Sequence, residues 1–344
     1  MHDVRGSLKR ALVEQGWIFG DKVARLGSPF EWTENEHKAN ILDLENMYAV
    51  AFYFSMFYVH KDTPKEMMVP EYDEVKHYCE EEIMKAFLHF FPFLAGSQQW
   101  THNARCQALI RTQDYSFIKR YCDALPAHPQ HLDIGPGLGS SALYSLKFLR
   151  STFYALESSP MSYGVQRHYF RFLSPKPGAY FDLIECENFQ MQIEAIKAEL
   201  YSSKYSIKHV PSWRFPLLKT ASMDLVSACH VLNELNYAGI LWLLAESSRV
   251  LRKGGYFYIR DSAILKPGTH SVKYDEMLIK MGFVEVARLK LKNRHDFFAL
   301  PRVFMKKTDK AYSFDEMVES CLGKFASVAG GGDRAYNLDT TGGK

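Results

Sequence analysis

The chain lacks a dominant charge sign: 42 Lys and Arg stand against 39 Asp and Glu, for a formal net charge of +3. It therefore lacks the strongly basic footprint of a general nucleic-acid binder. Cysteine is sparse. The six present (Cys79, Cys106, Cys122, Cys186, Cys229 and Cys321) are scattered, with no CxxC pair, which argues against a disulfide framework or a zinc site and fits reduced thiols in a cytosolic protein. Long hydrophobic runs are missing too. The longest, residues 47–59 (MYAVAFYFSMFYV), has 13 residues, where a membrane span needs about 20; it reads as a buried helix or as a subunit contact of the kind that builds a homodimer. The opening segment MHDVRGSLKRALVEQGWIFG has neither an unbroken apolar run nor a small-residue cleavage site, so no signal peptide is expected. There is no internal repeat. A soluble, cytoplasmic protein with no membrane and no nucleic-acid partner is the expectation.

Apolar residues are plentiful. They make up 47% of the 344 residues, with 24% charged, the balance of a globular protein with a substantial core. Aromatics reach 14%, more than an ordinary core requires, and point to pockets or interfaces. Residues 1–125 read as a helical region for substrate, lid or dimer contact, with helices predicted at 45–59, 75–91 and 114–125 from apolar spacing. From His131 strands and helices alternate. Strands are predicted at 131–134, 152–156, 206–209, 224–228 and 256–259, and helices at 140–149, 161–172 and 238–250. This alternation implies a parallel sheet covered by helices. A further helix, 187–201, falls in an unusually long connection between the second and third strands. The pattern ends with a helix at 271–281 and an antiparallel pair, 284–291 and 303–306. The domain of residues 126–322 is followed by a flexible, Gly-rich tail, 323–344.

Chemistry concentrates in HLDIGPGLGSSALYSLKFLR, from His131 to Arg150. A short apolar strand runs into Gly135-Pro136-Gly137-Leu138-Gly139, and a helix follows directly. Glycines let a ligand approach the backbone closely, and a new helix offers unpaired amides. A glycine triplet alone is weak evidence, and three companions sharpen it. Asp133 precedes Gly135 by two residues, where an acid suits a cationic amino group and would be out of place beside a pyrophosphate. Glu157 closes the next strand, 22 residues after Gly135, where a carboxylate can accept both hydroxyls of a ribose. The spacing is GxGxG, not the GxGxxG of a dinucleotide binder. An amino-acid end and a ribose without phosphate describe S-adenosylmethionine.

With these residues the chain resembles the class I S-adenosylmethionine-dependent methyltransferases from about Pro126 to Lys307. The likeness rests on LDIGPGLG, Glu157, DLVSACHVLNEL at the fourth strand and RVLRKGGYFYIRDS through the fifth. It implies an α/β, Rossmann-like seven-stranded sheet of order 3-2-1-4-5-7-6, S-adenosylmethionine as cofactor, and ligand at the carboxyl ends of strands one, two and four. Carried over by position, Asp133, Gly135 and Gly137 line the methionine end and Glu157 faces the ribose, with Pro136, Ser158 and Cys229 as further cofactor-binding residues. The adenine position reads HVPSWRF, so Ser212 and Trp213 stand where the family often has an acid. Trp213 either stacks on adenine or belongs to the core.

Methyl transfer is an in-line displacement that depends mainly on alignment, and an alcohol acceptor also needs a base. His230, Asn233 and Glu234, after the fourth strand, are the catalytic candidates. His230 reads as a general base or as a histidine bonded to neighbouring backbone. Asn233 and Glu234 orient the acceptor or cap the next helix. Asp261 and His295 are weaker candidates, and His230, Glu234 and Asp261 together form a trio for a divalent cation that nothing in the spacing compels. The motifs of amino-base, cytosine-C5 and protein-arginine enzymes are missing. A small hydroxylated acceptor remains, and the helical N-terminal region, the long insert and VLNEL are loosely similar to bacterial sugar O-methyltransferases. The aromatic residues 87–93 and 100–103 are either a lid over such an acceptor or core and dimer contact. Two other readings stay open: methylation of a peptide or protein side chain, and a non-catalytic methyltransferase-like binding subunit.

Overall fold

Tyr72, Val75, Cys79, Ile83, Ala86 and Phe87 are the buried side of the first described helix, α1 (Tyr72–Phe90), one stripe at the 3.6-residue period of an amphipathic helix. The structure, a computed structural model, describes residues 68–90, 92, 95–96, 98–158, 160–174, 176, 178–188, 191–232, 235, 237–261, 270–272, 274–289, 300–321 and 326–328. Described residues 68–211 form one compact unit and 212–328 another.

In the first unit α1 packs against α2 (Gln98–Tyr121). Asp73 and Glu74 in the first turn of α1 and His89 in its last complement the helix dipole. The helix expected at 114–125 is the last part of α2. Nothing between Gln98 and Tyr121 breaks the helix, and its buried side carries Asn103, Gln107, Thr112, Gln113 and Asp114, so polar residues hide the period. The expected helix at 45–59 and the apolar run at 47–59 lie outside the described residues.

Strand and helix then alternate: β1 (Gln130–Ile134), α3 (Ser141–Lys147), β2 (Thr152–Glu157), α4 (Pro160–Leu173), β3 (Tyr180–Asp182), α5 (Leu183–Asn188), α6 (Ile193–Leu200) and β4 (Ile207–Pro211). These strands run parallel in the order β3-β4-β2-β1. They are buried almost throughout, as parallel strands covered on both faces must be. The 3-2-1 portion of the expected order is present, with β3 added at its edge. In place of one helix at 187–201 the long connection holds β3, α5 and α6. Asp182 explains the early start of α5, because its Oδ1 accepts the Ile184 and Glu185 amides at 3.0 and 3.3 Å, as an N-capping residue does.

The second unit opens with a 3-10 turn, Ser212–Leu217, and continues with β5 (Met223–Cys229), α7 (Tyr237–Val250), β6 (Leu251–Asp261), β7 (His270–Val272), α8 (Tyr274–Lys280), β8 (Phe283–Arg288), β9 (Leu300–Lys306), α9 (Phe314–Cys321) and β10 (Ala326–Val328). Its main strands follow the order β5-β6-β9-β8, parallel from β5 to β6 and antiparallel thereafter, which is the 4-5-7-6 portion of the expected order. Both units thus carry the Rossmann-like α/β arrangement. Two expectations are corrected. Residues 270–272 do not begin the helix predicted at 271–281; they form β7, because β10 supplies an antiparallel partner. That partner, 326–328, falls inside the segment read as a flexible tail, whose remainder from Gly330 lies outside the described residues. No described helix is long and apolar enough to cross a membrane.

Two buried histidines in the first unit link fold to pH. His131 on β1 and His209 on β4 are fully enclosed, and burial pushes both imidazoles down to about 3. Protons bind the unfolded chain more readily than the folded one between that value and about 6.5, the ordinary histidine pKa, so stability must rise with pH across this window. Burial alone would raise the Asp182 carboxyl, but neighbouring positive charge and hydrogen bonds hold it below the usual carboxylate range. Urea unfolding should show stability falling as pH drops from 7 to 5, by up to about 1.4 kcal/mol per pH unit for each histidine. A flat profile would show that neither histidine is held neutral.

Candidate functional site

The chain leaves β1 through a bend in which every second residue is left-handed. Gly135, Gly137 and Gly139 have φ of 60°, 61° and 81°, a region closed to most side chains. The Gly135 amide donates to the Leu156 carbonyl at 2.8 Å and the Gly139 amide to the Pro136 carbonyl at 2.9 Å, which fixes both ends of the bend. The last two glycines do different work. A Cβ on Gly139 would lie 2.5 Å from Cε1 of Phe170 on α4, whereas one on Gly137 would meet nothing within 4 Å. Gly139 therefore permits close packing, and Gly137, exposed between buried Pro136 and Leu138, leaves its own backbone open to an approaching group.

Two buried carboxylates flank the bend. Asp133, on β1, accepts the Ser141 hydroxyl from the start of α3. Glu157, at the end of β2 and only 4% exposed, accepts the Ser158 amide on Oε1 at 2.7 Å and the Gln166 side-chain amide on Oε2 at 2.6 Å. The same Gln166 nitrogen donates to the Gly137 carbonyl at 2.6 Å. The fold thus brings together Asp133, the glycine bend, Glu157 and Ser158. Gln166 was missed from the sequence. Its signal was a polar residue on the buried side of an amphipathic helix, between Tyr163 and Phe170.

Helix α2 also reaches the bend. Arg111 Nε donates to the Ser140 hydroxyl at 2.9 Å, and that hydroxyl donates to Gln107 Oε1 at 3.3 Å. Arg111 is itself paired with buried Asp114 at 3.1 Å. Part of the helical N-terminal region therefore braces the glycine bend. Of the aromatic stretch read as lid or core, Phe87 and Trp100 meet edge to face at 5.7 Å, a contact between α1 and α2.

In the second unit Ser212 and Trp213 start the 3-10 turn, and the Ser212 hydroxyl is buried with no hydrogen-bond partner among the described residues. Cys229 ends β5, half-buried and in no disulfide. His230 has a left-handed backbone, φ 61°; its amide donates to the Arg260 carbonyl at 3.0 Å, and its Nε2 lies 2.7 Å from Arg260 Nη1. A guanidinium only donates, so Nε2 is the acceptor and the neutral ring carries its proton on Nδ1. Nε2 can take a proton from an alcohol only by releasing Arg260. Asp261, fully buried, accepts the Leu232 amide at 2.7 Å, so the end of β6 holds the loop leaving β5 at two points. Asn233, Glu234 and His295 lie outside the described residues. Among the described residues no group of three His, Cys, Asp or Glu side chains is arranged to hold a metal ion.

No protein-family model matches the chain, and no curated protein matches it in sequence. Among solved structures it is similar to a methyltransferase from Pyrococcus furiosus, with 16% identity over 58% of this chain and 85% of that one and a TM-score of 0.33. It is also similar to a geranyl diphosphate methyltransferase in complex with SAM, with 11% identity over 61% and 90% and a TM-score of 0.39.

The contrast between the glycines is measurable. Gly139→Ala adds a clash with Phe170 to the backbone strain and should cost about 2–4 kcal/mol in urea unfolding. Gly137→Ala carries the strain alone, about 1–2 kcal/mol. Equal losses would refute the packing role of Gly139.

Proposed function

We propose that the chain is a cytoplasmic S-adenosylmethionine-dependent methyltransferase that methylates a hydroxyl on a sugar or another small natural product. One observation carries the reading: two buried carboxylates, Asp133 and Glu157, flank a glycine bend whose Gly137 is open to approach. A pyrophosphate at the bend would face the negative charge of Asp133, so a dinucleotide fits this setting poorly. A cationic amino group and vicinal hydroxyls fit it well.

On this reading Asp133 holds the amino group, with Gly135, Pro136 and Gly137 along the amino-acid end. Glu157 and Ser158 hold the ribose. Ser212, whose buried hydroxyl lacks a partner among the described residues, and Trp213 serve the adenine, and Cys229 belongs to the same set. The bound cofactor supplies an electrophilic methyl group on a sulfonium. His230, Asn233 and Glu234 serve the acceptor. His230 orients its hydroxyl and takes its proton on Nε2, while Arg260 holds the ring in place until that exchange. A base in this position would serve an alcohol acceptor more than an amine or phenol, which need one less.

Calorimetry with S-adenosylhomocysteine tests the core of the proposal. The wild-type chain should bind, and Glu157→Ala should weaken binding by about tenfold or more, the weight of hydrogen bonds to a charged acceptor. Absence of binding by the wild-type chain would leave the non-catalytic subunit as the better reading. His230→Ala should lower transfer of radiolabelled methyl to a panel of sugars by about a hundredfold or more, with S-adenosylhomocysteine affinity unchanged. Equal turnover removes His230 as the base.

A further inference from the structure

Gln166 is completely buried on α4. Its side-chain nitrogen donates to two acceptors from separate parts of the unit, the Gly137 carbonyl in the bend and Oε2 of Glu157 at the end of β2, both at 2.6 Å. Its oxygen meets Nε2 of His209 on β4 at 2.9 Å. All of its polar capacity except one acceptor direction is thereby committed. The orientation cannot be reversed: a flipped amide would point oxygen at two other oxygens.

His209 completes that arrangement. With Gln166 oxygen as the acceptor, the imidazole must carry its proton on Nε2, and its Nδ1 then shares the single proton of the Tyr180 hydroxyl, at 2.9 Å, with Asp182 Oδ2 at 3.0 Å. The ring is clamped in its plane. It stacks on Tyr163 at 3.5 Å and 9° and meets the edge of Phe170 at 5.2 Å. Behind it Asp182 collects the Tyr163 hydroxyl at 2.8 Å and Arg167 Nε at 2.6 Å, so Tyr163 cannot swing away. Burial keeps the imidazole neutral, down to about 3, and a neutral ring with one fixed tautomer is a one-way hydrogen-bond donor to Gln166.

We infer that Gln166 is a positioning residue for the ribose of the bound nucleoside, holding the Glu157 carboxylate and the Gly137 backbone in one fixed relation. The inference rests on the methyltransferase reading of the same site. The bonds from the Ser158 amide and the Gln166 side chain set which way the carboxylate faces when vicinal hydroxyls arrive. Because the same amide grips Gly137, the hydroxyl-binding group and the backbone at the amino-acid end move as one body. Ordering the site before the ligand arrives removes a cost that the ligand would otherwise bear on binding.

The test compares S-adenosylhomocysteine with its 2′,3′-dideoxyribose analogue by calorimetry on the full chain, with thermal melts alongside. The variants are Gln166→Met, which removes the amide, and Gln166→Asn, which keeps it but is one methylene too short to bridge both acceptors. The wild-type chain should prefer the ligand with intact hydroxyls. In both variants that ligand should bind about tenfold more weakly while the dideoxy analogue is unchanged, so the preference shrinks by the same factor. Equal weakening of both ligands would make Gln166 merely structural and overturn the inference, as would an unchanged preference; both outcomes leave the methyltransferase reading intact. Failure of the wild-type chain to bind S-adenosylhomocysteine overturns the cofactor reading itself.

Discussion

The first unit depends on a backbone that turns left-handed three times in five residues. Only glycine takes that conformation without strain, so the segment between Ile134 and Ser140 has few alternatives in composition. The bend sends the chain from β1 into α3 and brings Gly139 against Phe170. Gly137 is left at the surface with its carbonyl held from below by Gln166. Packing of α4, access to the backbone and the setting of Glu157 all follow from that one local conformation.

Around the bend the structure places polar groups where a purely structural core would carry aliphatic ones. Asp133, Ser140, Glu157, Gln166, Asp182 and His209 are all buried. Buried polar groups are costly unless paired, and these are joined into chains: Gln107 and Arg111 to Ser140, Gln166 to Gly137, Glu157 and His209, Tyr163 and Arg167 to Asp182. Satisfied networks of this kind fix a single geometry, since loss of one member leaves its partners stranded. The same economy appears in the second unit, where Arg260 and Asp261 at the end of β6 hold the left-handed His230 and the amide of Leu232.

Much of this is legible in the amino-acid sequence. Strand–helix alternation from His131, the glycine bend and the acid closing the second strand are local features, written in period, turn residues and spacing. Misreadings arose where neighbours distant in the chain decide. Polar residues among the apolar ones on the buried side of α2 obscured its length, because some of them, Gln107 and Arg111's partner Asp114 among them, serve the network at Ser140. Residues 270–272 became a strand because 326–328 lie alongside, and Asp182 started α5 early by capping it. His230 stood out as a catalytic candidate, but its lone pair facing Arg260 could not be read from two residues 30 positions apart.

The amino-acid sequence by itself determined the class of fold and the chemistry of the bend, since backbone conformation and hydrophobic period are properties of short segments. Only the tertiary structure decided which groups hold those segments in working order. Gln166, His209 and Arg260 acquire their roles from helix phase and strand register, which set the side chains that meet across elements. Neither quantity can be read from residue spacing along one segment, because each is fixed only when the elements pack.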